Sequence, residues 1–171
     1  MQNQITPIID TISYDETIQN MFSNNLYTDE YIFYACMISK CNIYFTDDLN
    51  APAGVSFNDS YNLYINLNLF KEYTLIERMA ILKHEMLHIL NGHLFYRNEN
   101  KKNKLWNIAT DCSINQLINQ QHLPENCIKP RYIEKEINKK IKRLEPSEYY
   151  YKLLENLKDV YDFKDIDKHS T

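Results

Sequence analysis

Apolar residues recur with a helical period between Leu75 and Asn91: Leu75, Met79, Leu82, Met86, Leu87 and Leu90 fall at helical spacings. Thr74 can cap this helix, and Glu77 completes a Thr-x-x-Glu capping box. Asn91-Gly92 marks its end. Upstream, Asp15–Asn24 and Thr28–Lys40 read as helices, and Asn42–Thr46 reads as a strand. The stretch Asp47–Gly54 is rich in turn residues. Val55–Phe57 and Tyr61–Asn66 then form a hairpin around Asn58-Asp59-Ser60. Downstream, the pattern predicts a helix over Lys104–Asn119, a loop holding Pro124 and Pro130, a helix over Ser147–Leu157 and a polar tail. The sum is α+β, a small antiparallel sheet packed on the central helix with further helices around it. One domain is expected over residues 1–171. Residues 1–40 supply N-terminal helices, 41–120 the sheet and the two central helices, 121–158 a C-terminal helical part, and 159–171 the tail.

Composition narrows the class. Apolar residues make up 44% and charged residues 25%, as in globular proteins, and two glycines leave little room for flexible linkers. No apolar run reaches the length of a membrane span. The N-terminal residues show neither a basic region nor an apolar one, so a cytoplasmic location is expected. The four cysteines (Cys36, Cys41, Cys112, Cys127) form no Cys-x-x-Cys pair, which favours reduced, mostly buried thiols. Net charge is −4, yet Lys129 to Arg143 is basic. That run could contact nucleic acid, although a solvated face is the simpler reading.

The chemistry sits in His84-Glu85-Met86-Leu87-His88. Histidines four apart on a helix share one face, so both imidazoles can meet one Zn2+ at about 2.0–2.1 Å. Glu85, at the edge of that face, can take the proton of a metal-bound water without being a ligand. Three such residues on an otherwise apolar helix need partners, since unpaired burial costs several kcal/mol. A third ligand is required, and two candidates present themselves. Asp111, on the second helix, shares a face with Asn107, Ile114 and Ile118. His93, just past Gly92, is the alternative or an addition. Asp111 could instead accept the free N–H of a ligand histidine. Tyr96, Arg97 and Tyr132 are candidates for the oxyanion donor by residue type, and His169 in the tail is a remote ligand candidate. The strand Tyr61–Asn66 precedes the metal helix and is expected to offer its edge to an extended peptide.

Several runs carry a family resemblance. They are Ala53-Gly54-Val55-Ser56-Phe57, Tyr61 to Asn66, Leu82 to His88 with His93, and Leu105-Trp106-Asn107-Ile108-Ala109-Thr110-Asp111 through Asn115. Together they resemble the metallopeptidase domain that forms the N-terminal part of VWA-like bacterial and phage proteins. Glu148 to Leu154 and Asp167 to Ser170 resemble its later segments. The resemblance implies a zincin-like fold, metal binding by His84 and His88, and a base role for Glu85. It matches both His93 and Asp111 and so leaves the third ligand open. These residues hold no Asp-x-Ser-x-Ser motif, and a stand-alone form without the VWA-like domain is expected. The leading expectation is therefore a zinc-dependent peptidase acting on a protein or peptide. A zinc hydrolase with another substrate and a non-catalytic protein stapled by zinc are the alternatives.

Overall fold

The computed structural model describes residues 10–23, 29–95 and 103–157. Its elements are α1 (Ile12–Phe22), α2 (Ile32–Ile38), β1 (Asn42–Phe45), β2 (Ala53–Asn58), β3 (Ser60–Ile65), α3 (Leu67–Phe70), α4 (Leu75–Leu90), α5 (Asn103–Ile114), α6 (Pro130–Ile137) and α7 (Ser147–Leu157). The architecture is α+β, a small sheet packed against helices.

α4 is the centre of the fold. Its capping box is complete: Glu77 N–H donates to Thr74 Oγ1 at 3.4 Å, and Thr74 N–H donates to Glu77 Oε2 at 2.9 Å. Every residue from Arg78 to Leu87 is buried, so the helix is covered all round. Met79, Leu82 and Met86 pack with Leu63 and Ile65 of β3, Ala35 and Ile38 of α2 and Met21 of α1. Ala80 and Leu87 pack with Ile114, Ile118 and Leu123. Truncating a side chain as enclosed as Leu82 to alanine costs about 2–5 kcal/mol.

Two buried cations on α4 bind the N-terminal helices to it. Arg78 donates to Thr17 Oγ1 at 2.9 Å, to the Tyr73 carbonyl at 3.0 Å and to Glu16. Lys83 Nζ lies 3.0 Å from Glu30 Oε2, over the rings of Tyr31 and Tyr34. Each charge is paired, as burial requires.

The sheet differs from the expected antiparallel one. Its order is β1-β3-β2, with β3 antiparallel to β2 but parallel to β1. The chain reverses between β1 and β2 and again at Asp59, whose φ of 58° a short polar residue tolerates. β1 and β3 therefore point the same way. β3 holds the fully buried Leu63 and Ile65 and takes the middle, where both of its sides are paired. Tyr61–Asn66 thus has no edge to offer a substrate. The outer strand beside α4 is β2.

Other differences are local. Pro130 opens α6 at its first turn, where a missing N–H costs nothing, so the expected loop is helical there. α5 gives way at Ile114 to a 3-10 turn, Asn115–Leu117, short of the expected Asn119. α5 packs on α7 through Trp106, Ile108 and Cys112 against Tyr150, Tyr151 and Leu154. All four cysteines are free thiols, but only Cys112 is buried, while Cys36 is exposed and Cys41 and Cys127 are half-buried. Small helices such as α2 leave one side in water, so Cys36 has nothing to bury it. Among the described residues, no helix is long and apolar enough to cross a membrane.

Candidate metal centre

His84, Glu85 and His88 project from α4 toward α5. Their spacing places the two imidazoles one turn apart, with the Nε2 atoms 3.0 Å from each other. Asp111 of α5 meets them: its Oδ1 lies 3.5 Å from His84 Nε2 and 3.2 Å from His88 Nε2. One ligating atom from each of His84, His88 and Asp111 can be chosen so that all lie within 4.8 Å of one another. His84, Glu85 and Asp111 are 9%, 5% and 5% exposed, so water does little to offset the charge in this group.

Asn115 sets the proton position on His84. Its Nδ2 donates to the Ile128 carbonyl at 2.9 Å, which leaves Oδ1 facing His84 Nδ1 at 2.8 Å. Oδ1 is only an acceptor, so Nδ1 carries the hydrogen and the neutral ring keeps a lone pair on Nε2. That lone pair points at the oxygen of Asp111. Acceptors gathered this closely need a proton or a cation between them, and two imidazoles with a carboxylate are a donor set suited to a divalent transition metal.

The electrostatics agree. Burial pushes the His84 imidazolium toward lower pKa, but the Asp111 carboxylate outweighs it and raises the ring to about 9 in the metal-free chain. Burial works to raise Asp111, yet His84 and His88 hold it well below the usual carboxylate range. Glu85 is raised, mainly by burial and also by Asp111, with the two histidines working against the shift. A carboxylate with raised pKa is the better proton acceptor near neutral pH.

His93 lies beside this group. Its Nδ1 is 3.2 Å from His88 Nδ1, on the side of the ring away from Asp111, and its Nε2 is 3.0 Å from Ser147 Oγ at the start of α7. The ring also meets Trp106 edge-on at 6.0 Å. The geometry thus brings His84, His88 and Asp111 together and sets His93 behind His88. If His88 turns an Nε2 lone pair to the group, its Nδ1–H donates to His93, and His93 Nε2–H donates to Ser147.

Two cavities meet at this point. The larger, about 540 Å³, extends from His84, Glu85 and Asp111 past Ile81 to Tyr73 and Glu72. The smaller, about 190 Å³, is bounded by Ala51, Gly54, Leu94 and Trp106. Glu85 and Asp111 line both, as does Ala53 of β2. Tyr132 lines neither and donates its hydroxyl to the Glu125 carbonyl at 3.2 Å. Tyr96, Arg97 and His169 lie outside the described residues. The basic residues of Lys129–Arg143 occupy α6 and the turns after it, where Arg143 pairs with Glu134 at 2.7 Å. Asn115, Glu72 and Tyr73 escape a reading of the sequence. Only the i, i+4 relation of Asp111 to Asn115 could have pointed to the first of them.

These features define a class, an α+β protein whose central helix carries two histidines and a glutamate against a carboxylate, where two cavities join. The chain belongs to the family described as "Putative metallopeptidase domain", which matches residues 25–168. No curated protein and no solved structure matches it.

Proposed function

We propose that this protein is a zinc-dependent peptidase in which His84, His88 and Asp111 hold the metal and Glu85 is the general base. One observation carries the reading: His84 Nε2, His88 Nε2 and Asp111 Oδ1 converge at 3.0–3.5 Å, with the His84 lone pair aimed inward by Asn115. Three donors among the described residues, beside a cleft, fit the pattern of catalytic zinc sites, whereas structural sites take four. Family membership supports the same reaction class.

Zinc bound there acidifies water and polarises the scissile carbonyl. The chain supplies the rest. Asn115 holds the His84 ring in the tautomer that leaves Nε2 free. Asp111 stays ionised between the two rings. Glu85, at the junction of the cavities, accepts a proton at its carboxylate from the attacking water and returns it to the departing amine nitrogen. The outer side of β2, which follows the cleft through Ala53, is the strand able to pair with an extended substrate.

Elemental analysis of purified wild type and of Asp111→Ala tests the reading. Near-stoichiometric zinc in wild type, lost in the variant, is expected. Wild-type protein that takes up no zinc when refolded with it would end the proposal.

A further inference from the structure

The larger cavity has a chemistry of its own. One side of it is apolar, formed by Ile81 of α4, Leu69 of α3, and Leu123 and Ile128 from the loop between α5 and α6, while Asn50, Asn115 and Asn126 add polar groups. At its far end stand the Tyr73 ring and the Glu72 carboxylate. Glu72 is exposed and its carboxylate has no hydrogen-bond or ion-pair partner among the described residues, and neither does the Tyr73 hydroxyl. Among the described residues, no lysine or arginine lines the cavity. A passage with one apolar side, ending in an unpaired carboxylate and an aromatic ring, complements a side chain with a long apolar stem and a cationic head. Across Glu85, the smaller cavity, about 190 Å³ and lined by Leu49, Val55, Leu94 and Trp106, suits a compact residue.

We infer that the larger cavity takes a lysine or arginine side chain of the substrate, stem along Ile81 and Leu123, charge at Glu72. The inference rests on the peptidase reading for its biological meaning, but its physical content is a binding preference that can be measured without turnover.

The test uses two readouts. Wild-type protein with zinc digests a mixed peptide library, and mass spectrometry identifies the residues flanking each cut. Separately, Glu85→Gln protein with zinc is titrated with a fluorescent Ala-Ala-Lys-Ala-Ala peptide and its norleucine counterpart, which keeps the stem and drops the charge. Cuts enriched beside lysine or arginine are expected, together with about twofold to fivefold tighter binding of the lysine peptide, the scale of one exposed ion pair. Adding Glu72→Gln should erase that difference. Equal or tighter binding of norleucine, or a lysine preference that survives Glu72→Gln, would overturn the inference. Discrimination in binding without any cleavage by wild type would uphold the pocket and remove the peptidase reading.

Discussion

His84 Nδ1 and Asn115 Oδ1 lie 2.8 Å apart in the interior, and the Ile128 carbonyl fixes which way the amide faces. Asn115 is therefore the residue that decides which His84 nitrogen faces His88 and Asp111. Removing it in Asn115→Ala frees the ring to rotate and to change tautomer. Metal affinity should fall about 10–100-fold, the usual effect of losing a partner that orients a ligand. Competition with a chelator of known affinity measures this. Imidazole ¹⁵N shifts of the metal-free protein above pH 9, where the ring is neutral, should show His84 protonated at Nδ1 in wild type and mixed in the variant. Unchanged affinity would mean that Asn115 only fills space.

Glu85 faces both cavities yet is not among the converging donors. Glu85→Gln keeps the shape and removes the base. Zinc content should stay near wild type while peptide hydrolysis falls by about 10²–10⁴-fold, the range for loss of a general base. Loss of zinc would instead make Glu85 a ligand and break the assignment.

Much of this arrangement is legible in the chain itself. The period of Leu75, Met79, Leu82 and Met86 gives α4, the Thr74–Glu77 box gives its start, and His84, Glu85 and His88 follow as one face. Asp111 is legible because a carboxylate among isoleucines needs a partner. The sheet order is not, since local alternation says which residues form strands but not which neighbours they take. β3 wins the middle by burying Leu63 and Ile65, a tertiary fact. Asn115 is hidden for a similar reason: it reads as a polar helix residue until the 3-10 turn directs it inward.

His93 separates two meanings of a nearby histidine. It is buried, touches His88 Nδ1 at 3.2 Å and passes the contact on to Ser147. As an orienting partner it needs only an acceptor facing His88. His93→Asn can supply one through its Oδ1 and should retain zinc, whereas His93→Leu should weaken binding about 10–100-fold. Elemental analysis with chelator titration distinguishes the variants. Complete loss of zinc in both would make His93 a ligand.

The metal-free protein should carry a pH signature of the same group. His84 is raised to about 9 from an ordinary value near 6.5, so the stability it contributes is full below about pH 6.5 and is lost as pH rises through 9. Asp111 is lowered, so its contribution is present above about pH 4 and disappears as acid protonates it. Thermal unfolding without metal should therefore show a maximum between about pH 4 and 6.5 and a decline toward pH 9. Zinc reverses the alkaline arm. It competes with the proton on His84, so its affinity, and the stability that binding adds, should rise with pH over the window where the metal-free protein weakens. Asp111→Asn removes the main anion that raises His84, and the alkaline decline should shrink, leaving only the part that buried Glu85 contributes. A decline through pH 9 that keeps its full size in Asp111→Asn would place its origin outside the His84–Asp111 pair.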